Sequence, residues 1–409
     1  MTPAALAGRV RRDANVVLSF AARFPAPAMP PRLASIDALR GVAALGVFAY
    51  HLWNVFAPGL SPQGPPADRP PPADARPEVL AAYPLCAYGY AGVGLFFVLS
   101  GFCIHLPQAR RFHRTGSDDL EPRPFFRRRL RRLYPAFFAS LFLSLAGMVV
   151  MAATLPDRQA LLRPEVGAVY VLVNAFFLLA VRPDALMLGP VYWTLWYEVQ
   201  FYLAYPLLLK VCRRVGFGGV AVGLLVVEVA FTLVPTPEFL KPIAPHFEWF
   251  FLRRYFEWFL GMWLAERAAA GLHLPRWGSL LVAVVAGAAG VVGSHLPELW
   301  VGHELLLAVA SAGVVSLVIV PSGEETGRRG VLAWFGDCSY SLYLVHMPLL
   351  RLLNAGVRQL PDAVRQDWGE PLFLASAVLL VPPVAYLWYR VYERPFLPKP
   401  TPAVAVAVT

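Results

Sequence analysis

Apolar runs close to the length that crosses a bilayer recur from one end of the chain to the other, separated by polar or basic stretches. They fall at roughly 34–57, 86–107, 135–155, 190–209, 218–236, 250–268, 277–296, 303–321, 333–353 and 371–394. Each predicts a helix. A further apolar run, 166–181, is short. Counted as a span it gives eleven helices; left as a re-entrant or interfacial piece it gives ten. The pattern predicts an all-α, polytopic transmembrane helical bundle of about ten spans, with eleven as the alternative. Residues 33–395 form its membrane domain. Residues 1–32, with Arg9, Arg11 and Arg12, read as a basic, poorly ordered cytoplasmic tail, and Met29 is a second possible start. Residues 396–409 read as a C-terminal tail.

Composition sharpens this picture. Of the 409 residues, 57% are hydrophobic and only 15% charged, and the mean hydropathy is +0.54. A soluble domain of this size needs more surface charge; a lipid-covered one does not. The net charge of +10 sits mostly between the apolar runs, which is the positive-inside pattern and not a nucleic-acid surface. With ten spans and the N-terminus inside, most cations lie on the inner side. These include the run Arg110–Arg132, Lys210–Arg214 and the basic C-terminus. Eleven spans would move the last two groups outside, so charge favours ten, with both termini cytoplasmic and the proline-rich loop 58–85 external. The four cysteines (Cys86, Cys103, Cys212, Cys338) are scattered and no HExxH is present. No metal is expected.

An ionisable side chain inside a span costs several kcal/mol unless it is paired or faces water. Such residues therefore mark where function is to be sought. In the first span, Asp37 and Arg40 are three apart, and Arg40 and His51 are eleven apart, leaving the latter two about 20° apart around a helix and roughly 16 Å apart along it. All three share one face. The second span carries GVGLFFVLSGF, in which Ser100 either bonds its own backbone or lines a pocket. FFRRRLRRLYP follows. Arg129 and Arg132 face the same way if it is helical, and paired guanidiniums suit phosphate. The fourth span places Glu198 and Gln200 within the membrane, with Trp193, Tyr202 and Tyr205 offering polar tips. The ninth carries Asp337, Ser339, Tyr340, Ser341, Tyr343 and His346, the last a structural partner or a pocket residue.

These elements resemble membrane-bound acyltransferase family 3, the bacterial O-acyltransferases. Five agree in order over about residues 33–395: Arg40-x10-His51, FFVLSGF, Arg129-x-x-Arg132 before Pro135, the Trp193/Leu195/Glu198/Phe201/Tyr202 element, and SYSLYLVH ending at His346. Arg254 ahead of FLGM also fits. Thr194 replaces the usual serine and keeps its hydroxyl. The SGNH hydrolase-like domain of some members is absent, so the stand-alone form is expected.

The resemblance implies an acyl-CoA co-substrate, acetyl-CoA above all, bound from the cytoplasm, with no tightly bound cofactor. It implies a hydroxyl acceptor on a glycan, a lipid-linked saccharide or a small molecule, and a place in the bacterial cytoplasmic (inner) membrane. Arg129 and Arg132 would hold the donor's phosphates and Arg40 its inner part. His51 would act as general base or transient acyl carrier. Asp37 would orient Arg40, and Glu198 would be a partner for His51 or an alternative base. Ser100 or Trp193 would serve the thioester carbonyl oxygen. Tyr202, Arg254 and His346 would line the substrate pocket. A transporter without acyl chemistry is the competing reading, since intramembrane charges also mark substrate paths.

Overall fold

The computed structural model describes residues 34–56, 86–155, 164–178, 185–186, 188–233, 251–296, 302–319 and 330–397. The expected N-terminal tail, the loop 58–85 and the chain beyond Leu397 lie outside these. Every regular element among the described residues is helical. In chain order they are α1 (Ala34–Phe56), α2 (Ala91–Thr115), α3 (Pro122–Thr154), α4 (Pro164–Ala175), α5 (Trp193–Val215), α6 (Phe217–Leu233), α7 (Tyr255–Ala269), α8 (Arg276–Ser294), α9 (His303–Ile319), α10 (Val331–Asp337), α11 (Ser339–Arg358) and α12 (Asp362–Trp388). A π-turn, Tyr389–Glu393, and a 3₁₀ turn, Arg394–Phe396, follow α12 directly.

Four of these are long and apolar enough to cross a membrane: α2, α3, α8, and α12 with its trailing turns. The protein is thus an all-helical membrane protein. Three others, α1, α5 and α11, have 23, 23 and 20 residues, but their polar groups dilute their hydropathy. Large apolar side chains such as Leu203, Leu207, Leu281, Val285, Leu379 and Leu380 are exposed on the outside of the bundle, as lipid contact requires.

Three boundaries differ from the sequence expectation. The basic segment before the third run is not a loop: α3 begins at Pro122, a favoured first-turn residue, and carries the arginines for three turns before reaching Pro135. The run 333–353 is two helices, because the chain breaks at Cys338 and Ser339 Oγ donates to Gly336 O at 2.8 Å. The short run 166–181 becomes α4, 12 residues long. That is roughly 18 Å, short of a bilayer core of about 30 Å. It ends before Phe177, which takes φ 54° and stacks on Phe137.

The helices that frame the site approach closely. α2 and α7 cross at glycines: a Cβ on Gly101 would stand 1.9 Å from Trp258 O, and one on Gly261 1.8 Å from Val98 O. Only hydrogen fits at either position. This crossing carries Trp258, fully buried, into the centre of the bundle beside Phe201, Tyr205 and Tyr255. α1 lies against α2, α10 and α11, while α11 also packs on α3 and α12. Residues from α1, α2, α3, α5 and α11 consequently face one interior space.

Candidate active site

That space is a cavity, open at its mouth, with about 100 Å³ of volume accessible to the centre of a water molecule. One face of α2 runs along it as Val93, Phe96, Phe97, Ser100, Cys103 and Ile104, about 16 Å of helix axis. Arg40 from α1 and Arg132 from α3 stand in the wall, with Thr194, Leu195, Glu198 and Tyr202 from α5 and Ser339, Tyr340 and Tyr343 from α11.

Charge in the wall is arranged pairwise. Arg40 lies 4.0 Å from Asp37, one turn earlier on α1. Glu198 accepts from Ser100 Oγ at 3.1 Å and from the Tyr202 hydroxyl, and Trp258 Nε1 donates to Ser100 at 3.3 Å. Glu198 is therefore held by Ser100 of α2 and Tyr202 of α5, and Ser100 in turn by Trp258 of α7. Arg129 lies beside the cavity, over the rings of Tyr202 and Phe125 at 5.9 and 5.3 Å, and its Nε is buried without a hydrogen-bond partner. Arg127, Arg128 and Arg131 point the other way, exposed. The Arg-x-x-Arg spacing has put Arg129 and Arg132 on the inner face of α3.

His51 and His346 do not line the cavity; they meet just beyond it. His51 Nδ1 is 3.0 Å from Val47 O and 3.2 Å from His346 Nε2, while His346 Nδ1 is 3.0 Å from Leu342 O. Tyr343 separates this pair from the cavity, its ring centroid 5.8 Å from that of His346. It is pinned there by donating to Val191 O at 3.0 Å and accepting from Thr194 Oγ1 at 2.8 Å. Thr194, standing where the family's serine is usual, makes this bond with the hydroxyl that the two residue types share.

The structure therefore brings together Arg40, Arg132, Ser100, Glu198 and Tyr202 around the cavity, with Asp37 and Arg129 immediately behind it. It places the other expected residues elsewhere. Trp193 lies under the Arg254 guanidinium at 5.5 Å, and Arg254 pairs with Glu257 at 3.0 Å and with Glu304. Glu198 reaches Ser100 and Tyr202, whereas His51 reaches His346. Sequence reading missed Trp258, Cys103 and Glu393. Glu393 is buried in the π-turn, accepts from Ser341 Oγ at 2.7 Å and lies within electrostatic reach of Arg132 and Arg40. A charged residue directly after an apolar span was the available signal, but it reads equally well as a span end.

An all-helical membrane protein with a cavity walled by guanidiniums at one side and a histidine pair beyond it has the parts for group transfer. The chain matches the acyltransferase domain family over residues 33–390, and it belongs to that family, acyltransferase 3. Its relatives include the exopolysaccharide production protein ExoZ of Rhizobium meliloti, 28% identical over 76% of this chain and 90% of the relative. The peptidoglycan O-acetyltransferase OatA of Listeria monocytogenes is 25% identical over 88% of this chain and 55% of the relative. The acyltransferase MdmB of Streptomyces mycarofaciens is 25% identical over 90% of this chain and 93% of the relative. The chain thus spans about half the length of the peptidoglycan O-acetyltransferase. No solved structure matches. The protein is an acyl-transferring enzyme.

Proposed function

We propose that this enzyme is an O-acyltransferase of the bacterial cytoplasmic membrane, moving an acyl group, acetyl in the simplest case, from a cytoplasmic acyl-CoA to a hydroxyl of an envelope glycan. The observation that carries the reading is the cavity. Arg40 and Arg132 line it, Arg129 stands behind it with an unpartnered Nε, and Tyr343 in its wall is one ring from His346, which meets His51. Guanidiniums suit the donor's phosphates, and the apolar face of α2 suits its extended thiol arm. The names of the relatives, which concern exopolysaccharide and peptidoglycan, favour a glycan over other hydroxyl acceptors.

In this reading His51 is the general base. Its Nδ1–H is donated to Val47 O, so Nε2 carries the lone pair. That atom removes the proton of the acceptor hydroxyl as its oxygen bonds to the thioester carbonyl carbon. The C–S bond then breaks and the thiolate leaves with the proton that His51 returns. Asp37 holds Arg40 in place. Ten spans, with both termini and the α3 arginines cytoplasmic, put the guanidiniums at the donor's side and His51 toward the acceptor's.

His51→Ala tests this directly. The variant should accumulate in the membrane at the wild-type level and lose acyl transfer from acetyl-CoA by at least ~100-fold, the range for loss of a general base. Near-normal turnover would remove His51 from the chemistry.

A further inference from the structure

We infer that His346 is the positioning residue of the reaction: its bare Nε2 accepts the Nδ1–H of His51 and holds the base toward the acceptor. The inference rests on the assignment of His51 as the base, and it deepens that assignment by naming what takes the orienting place that a carboxylate fills in many hydrolytic triads.

The bonding pattern leaves one neutral arrangement. A carbonyl oxygen only accepts, so each ring must carry hydrogen on the nitrogen that faces one. For His346 that is Nδ1, facing Leu342 O at 3.0 Å; for His51 it is Nδ1, facing Val47 O at 3.0 Å. His346 Nε2 is therefore without hydrogen, and it lies 3.2 Å from the Nδ1–H of His51. The hydrogen of His51 is shared between two acceptors, and its Nε2 is the basic atom. Val47 lies one turn back on the same helix and fixes the tautomer. It does not fix the ring against α11; His346 does. When Nε2 takes the acceptor's proton, the Nδ1–H becomes a charged donor and its bond to His346 strengthens.

Position explains the choice of residue. His346 is 1% exposed, between Phe48, Tyr343 and His51 at ring separations of 6.5, 5.8 and 5.0 Å. An ionised carboxylate there would lose its hydration, a cost that full burial makes large. A neutral imidazole accepts the same hydrogen bond with no such cost. The three carboxylates of the site are engaged elsewhere, Asp37 at Arg40, Glu198 at Ser100 and Tyr202, and Glu393 at Ser341.

The test separates acceptance from packing. His346→Gln places an amide oxygen close to where Nε2 stands and keeps an acceptor. His346→Phe fills the space without one, and His346→Leu serves as a second apolar replacement where Phe lowers the protein level. Thiol release from acetyl-CoA is followed in native membranes that retain the acceptor, at matched protein amounts, with thermal unfolding in detergent as the folding control. Gln should keep maximal turnover within about fivefold and the apolar variants should lose about 100-fold, all with the KM for acetyl-CoA unchanged within about twofold. A folded Phe or Leu variant with wild-type turnover overturns the inference. So does a folded Gln variant as slow as Phe, or a defect confined to KM, which would make His346 a wall of the donor site. His51→Ala distinguishes the levels: inactive alongside an active His346→Phe, it removes only the role of His346; active itself, it removes the base assignment on which that role stands.

Discussion

At the scale of single residues, the polar side chains of the bundle meet in pairs drawn from different helices, Ser100 with Glu198 and His51 with His346. Asp37, Arg40, Ser100, Glu198 and Tyr202 stand out because polar groups are costly in a span, and Arg132 because paired guanidiniums suit phosphate; the structure gathers them around or just behind one cavity. Helical phase relates residues only within a helix. It could not tell that His346, 295 positions from His51, would meet it, or that Trp258 would reach Ser100. Arg129 and Arg132 give a prediction at this scale. Both face inward from α3 while their neighbours Arg127, Arg128 and Arg131 face out. Replacing both with lysine keeps every charge and loses the planar fork. The double variant should insert normally and raise the KM for acetyl-CoA by about tenfold, one lost charge-assisted contact, with maximal turnover little changed. Unchanged KM in both the double lysine and the double alanine variant would leave these arginines only a topological role, with Arg40 the next place to look for the phosphates.

At the scale of elements, hydropathy located the runs but not their true ends. Hydropathy counts arginine against a span, so α3 was expected to begin near Pro135, whereas backbone propensity and a first-turn proline start it at Pro122. Gly101 in FFVLSGF and Gly261 in FLGM leave room for close helix approach, and the α2–α7 crossing uses both. With Trp258 O 1.9 Å from the site of any Cβ on Gly101, Gly101→Ala must push the two helices apart and stretch the Trp258–Ser100 bond. It should destabilise the protein by about 1–3 kcal/mol, the cost of overpacking, and lower thermal unfolding in detergent. Gly287→Ala is the control: its Cβ would meet only Ala310 Cβ, at 3.7 Å. That variant should melt within the small range typical of a tolerated exchange, about 0.5 kcal/mol. If Gly101→Ala melts with wild type, the crossing is looser than its geometry.

At the scale of the whole molecule, the side on which each loop lies follows from charge more than from packing. Helices of the same sequence pack equally well in either orientation, but the cytoplasmic side retains lysine and arginine. The arginines of α3 exposed at Arg127, Arg128 and Arg131 and the basic residues closing α5, Arg213 and Arg214, are then expected on one side, the side that the proposed reaction assigns to the donor. Under the ten-span expectation α4, at 12 residues, does not cross, and an even number returns the C-terminus to the side of the N-terminus. Single cysteines in a background with Cys86, Cys103, Cys212 and Cys338 replaced make this measurable with a membrane-impermeant maleimide on intact cells. A cysteine within 58–85 should label. Arg128→Cys and Lys399→Cys should label only after lysis. Strong labelling of Lys399→Cys in intact cells, with Arg128→Cys protected, would mean an odd number of spans and place α4 across the bilayer. Labelling of Arg128→Cys in intact cells would be the more serious result. It would set the guanidiniums outside, away from any cytoplasmic thioester, and the donor side of the proposed reaction would have to be reassigned.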